Sequence, residues 1–206
     1  MAYLPKNMTI LPNKQLFRTE VQGFLPEIIE KMFADRVVYK KKMIEAQKKL
    51  EAETDPNKKK ALKNEIARYN NLQMAKKVGL NSAYGSLGTP YFRFFDIRQA
   101  LAITLSGQLS IRWIENRIND YLNKLLKTEN KDYVIASDTD SIYLNLSQLV
   151  SQSFQTLPEK SKIIKFLDRA CSEALQPFID KTYQELAEYV NAYDQKMVMK
   201  REALAD

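Results

Sequence analysis

Asp138 and Asp140 stand one residue apart in the run Asp138-Thr139-Asp140-Ser141. Carboxylates at i and i+2 on a strand point to one face, and at a tight turn both converge on one point. Mg2+ is a hard cation, held by one or two carboxylates together with substrate phosphates. Two such ions clamp the attacking and leaving oxygens of a phosphoryl transfer. The same tetrapeptide also suits a plain acidic turn, where Asp, Ser and Thr are ordinary residues. A second group comes earlier: Lys77, Asn81 and Tyr84, followed by Gly85. Spacings of four and seven put the three side chains on one helix face. Lysine brings a mobile point charge suited to phosphate, and Asn81 can donate or accept. Tyr84 adds a flat surface with a hydroxyl, fit to stack on a sugar or base. A glycine-capped helix end accounts for Gly85 but not for the other three. Arg36 and Lys40 form a similar i, i+4 pair.

Other chemistries are excluded. The chain has no histidine, so no Ser-His or Cys-His pair and no histidine metal site. Acid–base or metal chemistry must run on carboxylates, lysines or tyrosines. Cys171 is the only cysteine, which excludes an intrachain disulfide and fits a reducing, cytoplasmic compartment. Neither G-x-x-x-x-G-K-[ST] nor G-x-G-x-x-G occurs. No apolar run is long enough for a membrane span, and residues 1–6 lack a secretory pattern. The net charge is +7. From Arg36 to Lys77 there are thirteen Lys/Arg against five Asp/Glu. A basic stripe on helices is the footprint of phosphate binding, although a solvated lysine-rich hairpin has the same composition.

These residues need elements to hold them. Residues 1–22, with prolines at 5 and 12, read as an irregular lead-in. Phe24, Leu25, Ile28, Ile29, Met32 and Phe33 recur at helical spacing, and the pattern continues to Leu50. Asp55-Pro56-Asn57 breaks it. A second helix follows, striped by Leu62, Ile66, Tyr69 and Leu72, and ends near Gly85 and Gly88-Thr89-Pro90. Together they predict an antiparallel αα-hairpin. Arg36 and Lys77 lie similar distances either side of Pro56, so Arg36, Lys40, Lys77 and Asn81 are expected on one wall at its base. A long helix is predicted over 97–126. The period then alternates at 133–136 and 141–146, a hairpin of two apolar, buried strands with the acidic residues at its turn. Residues 160–190 return to helical spacing, and Met197-Val198-Met199 reads as a last short strand.

Two of these motifs also carry a family resemblance. Lys77-Val78-Gly79-Leu80-Asn81-Ser82-Ala83-Tyr84-Gly85 resembles the K-x-x-x-N-S-x-Y-G fingers motif of family B DNA polymerases. Asp138-Thr139-Asp140-Ser141 resembles their palm motif D-T-D-S. Gly23-Phe24-Leu25-Pro26, with Arg36 and Lys40 after it, is similar to the entry to the fingers. Phe94-Phe95-Asp96-Ile97-Arg98 and Lys200-Arg201-Glu202-Ala203 resemble segments further along. The resemblance covers about residues 20–204 and is nearest the T-even-phage branch, in which an acidic residue is expected at the position of Lys200.

The resemblance implies an α+β, mostly helical fold. Residues 1–22 would lead in from the palm, 23–90 would be the helical hairpin of the fingers, and 91–206 a partial palm with a small antiparallel sheet. It implies that Arg36, Lys40 and Lys77 grip an incoming deoxynucleoside triphosphate (dNTP), with Asn81 in support and Tyr84 under the nascent base pair. Asp140, with Asp138 beside it, would bind two catalytic Mg2+ ions, with Glu202 an auxiliary carboxylate. It implies primer-template DNA as a partner, no membrane, and a host cell's cytoplasm if a phage encodes the chain. Nothing here resembles the family's D-x-x-S-L-Y-P-S strand, exonuclease or thumb. The expectation is therefore a fragment or split subunit, inactive alone, that needs a second polypeptide or the missing segments. The other class open to this sequence is a non-catalytic module that binds nucleic acid or a partner.

Overall fold

Asp55 and Pro56 turn the chain back on itself. Helix α1 (Phe24–Ala52) ends just before them, and helix α2 (Pro56–Leu87) begins with Pro56 at its first position. The Asp55 carboxylate accepts a hydrogen bond from the Asn57 N–H at 2.8 Å, and this cap sets the start of α2. The computed structural model describes residues 5–154 and 158–205. They divide into two compact units. One is Val21–Ala100, and the other is the chain before it together with the chain from Leu101 onward.

In the first unit, α1 and α2 pack as an antiparallel hairpin. Leu25, Ile29, Met32, Tyr39, Met43, Ala46 and Leu50 line the inward stripe of α1, and Leu62, Ile66, Tyr69, Leu72 and Gln73 that of α2. Between them, Tyr39 and Tyr69 stack with centroids 6.5 Å apart. An ion pair joins Asp35 to Lys76 at 2.7 Å. The helices come close at Gly79, where a Cβ would lie 2.3 Å from the Met32 Cε. At the base, Phe24 packs on Phe94 at 4.9 Å, which brings the two ends of the unit together. Gly85 lies inside α2. The helix runs on to Leu87, and the Gly88 N–H closes it on the Gly85 carbonyl at 3.2 Å.

The second unit is built on helix α3 (Ile97–Leu126), of which it holds the part from Leu101. Ile114, Ile118, Leu122 and Leu126 recur every four residues on α3 and are buried. They meet Leu175, Ile179, Tyr183 and Leu186, with Tyr133 and Val134 completing the core. Strands β3 (Val134–Asp138) and β4 (Ser141–Leu144) pair antiparallel, Val134 opposite Leu144 and Asp138 opposite Ser141, with a bulge between Val134 and Ala136. Helix α4 (Ser147–Ser153) follows. Helix α5 (Lys160–Ala170) continues through a π-helical turn (Cys171–Leu175) into helix α6 (Gln176–Tyr189).

Three expectations from the sequence are corrected. The lead-in is not irregular: β1 (Met8–Ile10) and β2 (Leu16–Arg18) form a second hairpin, Met8 opposite Arg18. These strands, three residues each, are too short for a periodic signal. Val190 and Asn191, at the end of α6, hold them. The Val190 carbonyl accepts from the Ile10 N–H at 3.2 Å and the Thr9 hydroxyl at 2.7 Å, and the Asn191 amide donates to the Met8 carbonyl at 2.7 Å. Nor is Met197–Met199 a strand. It runs as an irregular segment whose Met199 carbonyl accepts from the Gln176 amide at 2.8 Å. Finally, β3 and β4 are only half covered. Val134 is buried, but Ile135 and Tyr143 are 67% and 57% exposed.

Candidate nucleotide-binding face and carboxylate turn

The contacts between α1 and α2 fix their register. Met32 meets Gly79, Asp35 meets Lys76 and Lys42 lies over Tyr69, each step along α1 matching one step back along α2. In that register Arg36 is level with Ala75, two residues or about 3 Å along the axis from the level of Lys77. Lys40 is level with Asn71, six residues or about 9 Å nearer the tip than Lys77. The cationic positions thus run along the hairpin rather than sitting at one height.

Burial separates their roles. Arg36 occupies a position of the inward stripe of α1, and its Nε is buried with no hydrogen-bond partner. An unpaired buried donor carries a desolvation cost that an incoming acceptor would remove. Lys40, Lys77, Asn81 and Tyr84 are exposed. Among the described residues neither Lys40 nor Lys77 enters an ion pair. The adjacent Lys76 is taken by Asp35, whose hydrogen bond and charge raise the Lys76 pKa. Gly85, next to Tyr84, has open space where a Cβ would stand. The helix surface at Gly85 itself is therefore uncovered.

In the second unit the turn between β3 and β4 has two residues, Thr139 and Asp140. Thr139 takes φ 49, a left-handed conformation that β-branched residues rarely adopt. The Asp138 carbonyl accepts from the Asp140 N–H at 2.5 Å and from the Ser141 hydroxyl at 3.2 Å. The Thr139 hydroxyl donates to the Asp138 carboxylate at 3.0 Å. Both carboxylates are exposed. The hydroxyl of buried Tyr183, on α6, has a raised pKa, first from burial and then from the charge of Asp140.

The donor set consists of hard oxygens, which fits Mg2+ completed by phosphate oxygens. Among the described residues no three His, Cys, Asp or Glu side chains gather into a ready metal site, so Glu202 does not complete a trio with Asp138 and Asp140. Glu202 lies in the segment held by Gln176 at Met199 and by an ion pair from Arg201 to Asp168.

A profile of DNA polymerase family B matches residues 5–187. This chain belongs to DNA polymerase family B. The family B relatives include the DNA-directed DNA polymerase of Enterobacteria phage T4, 31% identical over 94% of this chain and 26% of its own length. The DNA-directed DNA polymerase of Escherichia phage RB69 is 38% identical over 65% of this chain and 15% of its own length. The DNA polymerase delta catalytic subunit of Drosophila melanogaster is 31% identical over 65% of the chain and 11% of its own length. The chain thus spans about a quarter or less of these family B proteins. Among its described residues no helix is long and apolar enough to cross a membrane.

Proposed function

We propose that this chain supplies the fingers and the adjoining part of the palm of a DNA-directed DNA polymerase. The reaction is template-directed nucleotidyl transfer from a dNTP to a primer end. The observation that carries this reading is the unpaired, buried Arg36 Nε lying within one helical turn of the level of Lys77. Such a donor on a helix pair suits a triphosphate. Lys77 and Lys40 add mobile charges along the same hairpin, and Asn81 supports the grip. Tyr84, exposed and followed by the uncovered Gly85, offers a base pair a flat floor. Glycine inside an exposed helix costs about 1 kcal/mol relative to alanine, and no neighbour within 4 Å explains it.

On the second unit, Asp140 and Asp138 would hold Mg2+. That ion would supply charge neutralisation for the phosphoryl oxygens. Glu202 would serve as an auxiliary carboxylate. Two carboxylates from one hairpin are half of a two-metal site. The reading therefore requires a further carboxylate from outside the described residues, on a first palm strand supplied by further segments or a second polypeptide. Exonuclease and thumb would come from the same source, and this chain alone would not extend DNA. The test is to combine the chain with a polypeptide that carries the exonuclease and first palm strand. The pair should extend a primer with Mg2+, and Asp140→Asn should abolish extension while leaving assembly intact. An Asn variant that extends primers as well as the parent refutes the assignment.

A further inference from the structure

Two asparagines of α3 take hold of the backbone where β3 begins. The Asn119 Oδ1 accepts from the N–H groups of Tyr133 and Val134 at 2.9 and 3.2 Å. Its Nδ2 donates to the Asp132 carboxylate at 2.7 Å, which fixes the amide's orientation. One turn on, the Asn123 Oδ1 accepts from the Lys131 N–H at 3.0 Å, and its Nδ2 donates to the Lys131 carbonyl at 2.7 Å. Residues 131–134 are thus read by helix side chains as a neighbouring strand would read them. The other arm of the hairpin is tied by the Asn145 N–H to the Tyr133 carbonyl at 2.8 Å. The clamp rests on the rigid part of the unit, since Tyr133, Ile118 and Leu122 are all but fully buried.

We propose that Asn119 and Asn123 are positioning residues for the Asp138–Asp140 turn. The inference rests on the polymerase reading above and deepens it. The turn lies five residues beyond Tyr133, roughly 16 Å at about 3.3 Å per residue. Beyond Val134 all of β3 is exposed, and on β4 only Ile142 and Leu144 pack on the core, so the clamp is the one fixed point of the β3 arm. A tilt of about 5° at the root moves the carboxylates by roughly 1.4 Å, and about 1 Å of misplacement can cost about 100-fold in rate. Loss of the clamp should therefore lower turnover. It should change dNTP affinity much less, because Arg36, Lys40 and Lys77 of the proposed triphosphate grip lie in the other unit.

The experiment measures single-nucleotide incorporation by the complete polymerase that carries these residues, well below the melting temperature of each variant. Asn119→Ala should lower kcat by about 10- to 100-fold with KM for dNTP within about 3-fold, the pattern of a contact that matters only to the transition state. Amide NMR shifts of Thr139, Asp140 and Ser141 should move with it, which a loss of global stability alone does not cause. The exchanged pair Asn119→Asp with Asp132→Asn keeps the acceptor for the Tyr133 and Val134 N–H groups and the bond across the pair, losing only the second acceptor of Val134 at Asp132, and should restore kcat to within about 3-fold of the parent. If Asn119→Ala does not fold, Asp132→Ala is read the same way: it frees the Asn119 amide, and should cost about 3- to 10-fold in kcat. A folded Asn119→Ala with kcat within about 2-fold of the parent overturns the inference, as does a KM that rises in step with the loss. Asp140→Asn run alongside separates the two ideas. If that variant stays active the polymerase reading fails. If it is dead while Asn119→Ala is fully active, only the clamp does.

Discussion

The close approach of α1 and α2 at Gly79 makes a double-mutant cycle with Met32 informative. Alanine at 79 gains about 1 kcal/mol of helix propensity. Its Cβ, however, would stand 2.3 Å from the Met32 Cε, so the thioether must turn away. A displaced rotamer costs about 0.5–1.5 kcal/mol, and the terminal methyl forfeits about 0.8 kcal/mol of burial. Gly79→Ala alone should therefore be destabilising by about 0.3–1.3 kcal/mol, the difference between those losses and the helix gain. In a Met32→Ala background the obstacle is gone, and the same substitution should stabilise by about 1 kcal/mol. The coupling between the two sites is then about 1.3–2.3 kcal/mol, well above the ~0.5 kcal/mol scatter of independent sites. Urea titrations of the four proteins, followed by circular dichroism, measure it. A coupling below about 0.5 kcal/mol would show that the helices separate freely at this level, and the register argument for Arg36 and Lys77 would lose its footing.

Three further outcomes are expected. Arg36→Ala combined with Lys77→Ala should weaken triphosphate binding by about 2–4 kcal/mol, given roughly 1.5–3 kcal/mol for each charge-assisted bond and partial overlap; titration calorimetry at two salt concentrations checks it, and unchanged binding removes the proposed wall. Thr139→Asn, a residue that tolerates positive φ, should raise the melting temperature by a few degrees while lowering incorporation, because strain at the turn and the Thr139 hydroxyl both act on Asp138. The Asp96 carboxylate accepts from the N–H and guanidinium of Arg98, and that pairing holds its pKa below the ordinary value. Its contribution is therefore complete above the unfolded carboxylate pKa and is lost as pH falls through the lower folded value, so Asp96→Asn should flatten the acid limb of a melting-temperature profile that the parent shows.

Much of the helical framework was legible because its signals are local. Asp55 and Pro56 mark a helix start by capping chemistry alone, and the apolar period of 97–126 marks α3 to the residue. The carboxylate turn was legible because two strands of alternating residues flank it. The failures have a common cause, which is that the decisive partner is remote in sequence. Strands β1 and β2 depend on Val190 and Asn191 near the far end of the chain, so three residues apiece carried no sign of them. Asn119 and Asn123 read as two polar positions on a helix. Only their contacts with residues 131–134 give them a role. Arg36 was singled out for its charge, whereas its place on the buried stripe of α1 emerges only when α2 lies against it.

The hairpin of α1 and α2 also separates what is free to change from what is not. Its base is closed by Phe24 packing on Phe94, just beyond α2, and the positions suited to phosphate begin at the base and stop at Lys40. Beyond them, both helices run on to Asp55 with lysine-rich, mostly exposed surfaces. Length added or removed there in matched helical turns leaves every residue below in place, because antiparallel helices preserve their pairing when both are cut at one level. The outer hairpin is thus a natural place for insertions, deletions, affinity tags or fluorophores that leave its base undisturbed.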